Sequence, residues 1–319
     1  MNKPVRTNQP GWYYRLSNFF RNKFGEPLYK IPIDAGFSCP NRDGSVGTSG
    51  CTYCYNPSFA PFAKDDQNKP SRPSSVTGQI QRGLKRKQGA KHLAYFQSYT
   101  NTYAPLEQLK KLYDEALGHP LVNGLSIATR PDCINKNILD LLELYASEYH
   151  LWLEYGLQSS HDKTLALINR GHNSACFEQA IKLTRGRGIY ICAHIILGLP
   201  GESSAMMLET IDYLNRLGID GIKFHHLQVI KNTPLARQYP EGSICVFEKE
   251  EDYIPILCDC LERLAPHIVI HRLASQSTSK DLLIAPHWSK GAGQIAQDVE
   301  KELLRRGTYQ GYNLTSSAS

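Results

Sequence analysis

Residues Gly36–Phe59 read GFSCPNRDGSVGTSGCTYCYNPSF, and this stretch decides what the rest of the chain is expected to build. Cys39, Cys51 and Cys54 stand in a C-x11-C-x2-C spacing. Thiolates are soft ligands that suit iron–sulfur clusters. The close pair Cys51 and Cys54 can grip one edge of a cluster. Gly44, Gly47 and Gly50 let the intervening backbone bend with positive φ and approach a bound group closely. Asn41, Arg42 and Asp43 add turn character. Three cysteines leave one iron of a four-iron cubane without a protein ligand, and an open position is where a substrate can bind. The same three thiols with a distant histidine would make a structural zinc site, so the cysteines alone leave both readings open. No second C-x2-C pair completes a zinc ribbon. Cys258 and Cys260 have the wrong spacing, and Cys133, Cys176, Cys192 and Cys245 are scattered. These six read as buried or incidental thiols.

Working outward, the loop follows a β-rich run, Tyr29–Asp34, the first of six. The others are His92–Gln97, Gly124–Ala128, His150–Gln158, Gly188–Leu197 and Ile219–Gln228. Amphipathic stretches separate them, at Leu106–Leu117, Asn137–Ala146, Cys176–Arg185 and Ser204–Leu217. Strand alternating with helix predicts parallel βα units. With no Gly-rich dinucleotide fingerprint, the expected α/β fold is a partial (βα)6 TIM-like barrel with a C-terminal α/β extension. Its chemistry should sit at the C-terminal ends of the strands. The expected organisation is an N-terminal basic segment (1–28), a core (29–235), an extension (236–310) and a loose tail (311–319). The extension should hold a helix near Glu248–Leu264, a strand Ile268–Leu273 and a helix Ala292–Arg306.

Composition narrows the class. The 319 residues are 41% hydrophobic, 21% charged and 10% aromatic, which favours a folded core and excludes a disordered chain. No apolar run is long enough to cross a bilayer, and the N-terminus lacks the apolar core and cleavage site of a signal peptide. The chain is therefore expected to be cytoplasmic, without a membrane partner, where cysteines serve as free thiols or ligands rather than disulfides. The net charge of +6 is uneven. Arg82, Lys85, Arg86, Lys87 and Lys91 form one basic cluster; Arg6, Arg15, Arg21 and Lys23 form another. Each is either a solvated helix face or a phosphate contact.

Beyond the cysteines, further segments are diagnostic. Tyr53 puts an aromatic residue just before the last cysteine. Thr129–Asp132 reads TRPD, Leu153–Asn173 reads LEYGLQSSHDKTLALINRGHN, Ile196–Ser203 reads ILGLPGES, and Ala94–Pro105 reads AYFQSYTNTYAP. In order and spacing these resemble the radical SAM superfamily. The branch is that of the Elongator catalytic subunit and HemN, and specifically the YhcC/YtqA-type proteins. The long first gap between cysteines, in place of C-x3-C-x2-C, matches the Elongator branch.

The resemblance implies that Cys39, Cys51 and Cys54 hold a [4Fe–4S] cluster that reductively cleaves S-adenosyl-L-methionine to a 5′-deoxyadenosyl radical. It implies that Tyr53, Ser98, Tyr99, Thr100, Glu154, Gln158, Arg170 and His194 form the cosubstrate site. Arg170 would suit the carboxylate, and the Gly198-Leu199-Pro200-Gly201 turn would let backbone approach the adenine. His225, His226, His271, Arg272, His287 and Trp288 are candidate substrate contacts. The chain is too short for the acetyltransferase domain of Elongator-type enzymes. The branch instead implies conversion of 5-carboxymethylaminomethyl-(2-thio)uridine to 5-aminomethyl-(2-thio)uridine at the tRNA wobble position, with the basic clusters on the phosphates and flavodoxin or ferredoxin as electron donor. A HemN-like enzyme acting on a small molecule is one alternative; a non-catalytic zinc-containing RNA-binding module is another.

Overall fold

The structure, a computed structural model, describes residues 11–58, 75–242, 244–275 and 280–315. Arg6 and Phe59 lie outside them. Seven strands form one parallel sheet in the order β1-β2-β3-β4-β5-β6-β8. They are β1 (Leu28–Ile33), β2 (Lys91–Phe96), β3 (Val122–Thr129), β4 (His150–Gln158), β5 (Tyr190–Leu197), β6 (Gly221–His226) and β8 (Val269–Arg272). Strands that neighbour in the chain neighbour in the sheet, so the sheet winds one way, as in a barrel, and never reverses as a doubly wound sheet does. The expected six strands are all present. The seventh, β8, comes from the extension and pairs parallel with β6. Two short strands, β7 (Val229–Ile230) and β9 (Leu283–Ala285), pair antiparallel beside the sheet and were not legible in the sequence.

The helices follow from local sequence. They are α1 (Leu16–Phe24), α2 (Val76–Leu84), α3 (Leu106–Leu117), α4 (Lys136–Glu148), α5 (Asp162–Leu167), α6 (Ser174–Thr184), α7 (Ser204–Leu217), α8 (Pro234–Gln238), α9 (Glu250–Arg263), α10 (Ala292–Arg306) and α11 (Tyr312–Thr315). Ser75, Asn135, Asn173, Ser203 and Thr233 each cap a helix by accepting from the backbone N–H three residues on. The apolar faces of α3, α4, α6 and α7 bury Leu109, Leu142, Phe177 and Ile211 against the sheet. Strand β4 is buried along nearly its whole length, as a central parallel strand covered on both faces must be.

The other face of the sheet lines the barrel interior. Helix α1 closes its bottom: Phe19 packs edge-on against Trp152 and Tyr190, with centroids 5.5 and 5.4 Å away. The backbone of Tyr14 accepts from the Ile270 N–H at 2.7 Å, which ties the N-terminal segment to β8. Gln310 joins both, donating to the carbonyls of Ala265 and Ile268 and accepting from Tyr14 N–H. The tail begins anchored, since Gly311 N–H donates to the Leu261 carbonyl at 3.0 Å and a helical turn follows.

This topology moves the basic clusters. Arg82–Lys91 spans the end of α2 and the first residue of β2, so it lies at the N-terminal end of the strands. Lys23 donates to the hydroxyl of Tyr190, the first residue of β5, and Arg15 pairs with Glu300. The Arg82–Lys91 span and Lys23 therefore lie at the N-terminal ends of the strands, away from their C-terminal ends.

Candidate functional site

At the C-terminal ends of the strands a cavity of about 250 Å³ opens. Cys39, Cys51, Cys54 and Tyr53 line it, with Tyr99, Thr100, Glu154, Gln158, Arg170 and His194. Of the expected site residues only Ser98 is absent from the lining; its side chain is buried beneath, with no hydrogen-bond partner for Oγ.

The cysteine loop is held from within and from outside. Within it, Arg42 N–H donates to the Cys39 carbonyl at 2.8 Å and Gly50 N–H to the Asn41 carbonyl at 2.7 Å. Arg42 reaches back to donate to the Cys54 carbonyl. From outside, Thr52 N–H donates to Ile168 and Leu235 N–H to Thr52. Asn41 is buried and donates to the Asn169 carbonyl at 2.7 Å. The Asn169-Arg170-Gly171 segment therefore positions the loop. Asn169 and Gly171 adopt left-handed backbone, φ 51° and 75°, and a Cβ at Gly171 would lie 3.0 Å from Asn41 Oδ1.

The thiol environment is cationic. Arg170 Nη1 lies 3.5 Å from Cys51 Sγ, and Asn41 Nδ2 lies 3.6 Å from it. Burial pushes the Cys51 thiol up, but Arg170, Arg130 and Asn41 together bring it below its ordinary value. Burial and the neighbouring Cys51 push Cys54 up to about 11, against the pull of Arg42. Arg170 is itself fixed, donating to the Gly156 carbonyl at 2.6 Å, while Arg130 holds the Arg170 carbonyl at 2.9 Å and pairs with Asp132. Its Nε is buried without a partner, a donor free for a bound group. Three thiols on one cavity, with donors aimed at sulfur, fit an anionic thiolate-bound cluster. Among the described residues, no three His, Cys, Asp or Glu side chains are gathered as ligands of one metal ion.

Below the thiols lies a charged cluster. Glu154 on β4 is fully buried. Lys30 of β1 donates to Oε1 at 2.6 Å, Ser126 of β3 to the same oxygen at 2.5 Å, and Lys223 of β6 to Oε2. His194 of β5 sits 2.8 Å from Oε2 and His271 of β8 3.7 Å from Oε1. Burial raises the Glu154 carboxyl, yet Lys223 and Lys30 hold it well below the usual range, so it is ionised. Burial lowers both lysines, because one carboxylate cannot offset the desolvation of two ammonium groups. Burial and Lys223 bring His194 down to about 4, so it is neutral. Both Glu154 oxygens are thus engaged by the protein; in this structure its evident role is to neutralise the lysines.

Strained backbone concentrates here. Tyr99 and Gln158 carry positive φ, 62° and 77°, and Gln158 follows an irregularity between β4 and β5. Such conformations cost about 1–3 kcal/mol and mark places where the fold over-determines geometry for a ligand. Of the substrate candidates, His225, His226 and Arg272 line the cavity; His271, His287 and Trp288 do not. Trp288 instead stacks on His226, centroids 3.8 Å apart. Gly198 has left-handed backbone, φ 82°, and a Cβ there would meet the Phe247 ring at 2.8 Å, so conformation and packing both require that glycine. Asn41, Asn169, Arg130, Lys30 and Lys223 were not foreseen as site residues.

The profile of the Radical SAM superfamily matches residues 42–214, and that of the Radical_SAM C-terminal domain matches residues 219–305. The chain is 38% identical over 300 residues to the uncharacterized protein YtqA of Bacillus subtilis (strain 168), covering 94% of this chain and 92% of that one. It is 31% identical over 150 residues to the tRNA uridine(34) acetyltransferase of Methanocaldococcus infernus, covering 46% of this chain and 27% of that one. Among solved structures it resembles the archaeal Methanocaldococcus infernus Elp3 lacking residues 1–46. That match has a TM-score of 0.63 at 16% identity and covers 89% of this chain and 64% of that one, a likeness of fold.

Proposed function

The chain belongs to the radical SAM superfamily, and we propose that it converts 5-carboxymethylaminomethyl-(2-thio)uridine to 5-aminomethyl-(2-thio)uridine at the tRNA wobble position. As a member of that superfamily its cofactors are a [4Fe–4S] cluster and S-adenosylmethionine. In the proposed arrangement Cys39, Cys51 and Cys54 hold the cluster. When bound, this pair would supply a 5′-deoxyadenosyl radical to take a hydrogen atom from the glycyl methylene of the side chain; loss of one electron from that carbon radical, with the oxidised cluster as acceptor, would give an imine, and water would then break the carbon–nitrogen bond to leave the aminomethyl group and glyoxylate. Tyr53, Tyr99, Thr100, Gln158, Arg170 and His194 surround the cosubstrate; Arg170 orients its carboxylate through the free Nε. Flavodoxin or ferredoxin would deliver the electron.

The observation that carries the RNA reading is the cavity's form. It is recessed at the strand ends, and Tyr99, 40% exposed, stands on its lining. A flipped base can enter such a pocket and stack on an aromatic ring. The relative whose name specifies tRNA uridine 34 supports the same substrate class. No helix among the described residues is long and apolar enough to cross a membrane. The test is nucleoside mass spectrometry of tRNA from a deletion strain. The carboxymethylaminomethyl form should accumulate and the aminomethyl form disappear; an unchanged wobble profile would overturn the assignment.

A further inference from the structure

On the wall of the cavity contributed by β6 and β8, one cation is left over. Arg272 ends β8, at the opposite edge of the sheet from β1 and its cysteine loop. Its side chain lines the cavity. Among the described residues its guanidinium has no hydrogen-bond or ion-pair partner. His225, His194, Lys223 and Tyr95 feel its charge. Glu154, the carboxylate of this wall, is already saturated by Lys30, Lys223, Ser126 and His194. Lys30, Lys223 and Arg272 against one carboxylate leave the barrel interior with excess positive charge.

A partly desolvated guanidinium without a counter-ion is costly unless a ligand supplies one. Besides Lys223, its register partner on β6, the polar groups beside it are uncharged. Ser275 Oγ donates to the His226 carbonyl at 2.9 Å and lies 3.4 Å from His225 Nδ1. Burial and the charge of Arg272 keep His225 neutral. At the thiol end the cosubstrate has Arg170 for its carboxylate, so Arg272 is not needed there.

We propose that Arg272, flanked by His225 and Ser275, is a carboxylate-binding subsite that takes the carboxylate of the substrate's carboxymethylaminomethyl group as a bidentate pair. This rests on the wobble-uridine reading and names the residue that selects the carboxylated nucleoside. It also explains release: the aminomethyl product has lost the anion and presents an ammonium group to Arg272 and Lys223.

The experiment uses the reconstituted enzyme and two tRNAs that differ only in carrying carboxymethylaminomethyl- or aminomethyl-uridine at position 34. Binding is measured with S-adenosylmethionine present. Wild type should prefer the carboxylated tRNA by about ten- to a hundredfold. Arg272→Gln should abolish that preference by weakening the carboxylated tRNA, with affinity for the aminomethyl tRNA equal or modestly higher and the iron content unchanged; Arg272→Lys should restore part of it. Equal weakening toward both tRNAs, or a retained preference, overturns the subsite. Weakened S-adenosylmethionine binding without RNA would assign Arg272 to the cosubstrate and overturn it too. A deletion strain with altered wobble uridine, alongside an Arg272→Gln protein that still discriminates, would sink this proposal alone; an unaltered deletion strain sinks the reading beneath it.

Discussion

Asn169 holds the cysteine loop at two points through Asn41 and Gly50: its carbonyl accepts from Asn41 Nδ2 at 2.7 Å, and its own Nδ2 donates to the Gly50 carbonyl at 2.7 Å. The Asn169-Arg170-Gly171-His172 segment thus acts on the cluster site by shaping the loop as well as by offering Arg170. Asn169→Ala removes the amide and forces a left-handed backbone onto alanine. We predict that reconstituted Asn169→Ala retains less than half the wild-type iron per chain, and that Asn169→Gly, which keeps the conformation, retains more. Equal iron in all three proteins would show that the loop does not need this contact.

Glu154 sits between two ammonium groups, and removing one partner of a buried ion pair costs about 3–5 kcal/mol. Glu154→Ala should therefore lower the thermal midpoint by about 5–8 °C or prevent soluble expression. The triple change that also replaces Lys30 and Lys223 by methionine should recover much of the loss. Calorimetry of the three proteins checks this, and a triple variant less stable than Glu154→Ala would refute it.

At Gly156, a Cβ would lie 2.7 Å from Arg170 Nη2 and 2.8 Å from Gln158 Nε2. Gly156→Ala should displace both side chains. The expected outcome is S-adenosylmethionine binding weakened about tenfold with near-normal iron content, read by equilibrium dialysis. Unchanged affinity would remove both residues from the proposed cosubstrate site.

His150 is buried among Phe19, Phe20, Phe24 and Trp152 with neither ring nitrogen bonded. Burial, then the charges of Lys23 and Lys30, bring it down to about 3. In the unfolded chain it titrates near 6.5. Between those values the unfolded state binds the extra proton, so His150 contributes stability above pH 6.5 that is lost as pH falls toward 3. His150→Phe should flatten the acid limb of the stability curve between pH 6.5 and 3 by up to about 5 kcal/mol. Parallel acid limbs for wild type and variant would contradict this.

The barrel was legible because β4 and β5 are long apolar runs and because the helices between strands keep a 3.6-residue period. Boundaries shifted by a few residues: β3 runs from Val122 to Thr129 where Gly124–Ala128 was expected. The cysteines were legible because their spacing is local. Lys30 and Lys223 were not, since a lysine in a strand reads as solvent-facing until the sheet curls and brings it to Glu154, 124 or 69 residues away. Asn169 lay in a recognisable motif, but its bonds to a loop 119 residues earlier exist only in three dimensions. The basic cluster Arg82–Lys91 was visible as charge, but the sequence carried no sign of which end of the barrel would bear it. Period-2 patterning offered one missed clue: Lys223 and His225 alternate on β6 and face the same side as the cavity.

The most direct test of the account is anaerobic reconstitution with dithionite, S-adenosylmethionine and tRNA bearing carboxymethylaminomethyl-uridine, scored for 5′-deoxyadenosine and modified nucleosides together. The account predicts a brown protein with about four irons per chain, and 5′-deoxyadenosine forming in step with aminomethyl-uridine. Both products should vanish in Cys39→Ala, Cys51→Ala and Cys54→Ala. A colourless zinc protein, or 5′-deoxyadenosine formed while the wobble nucleoside stays intact, would contradict it.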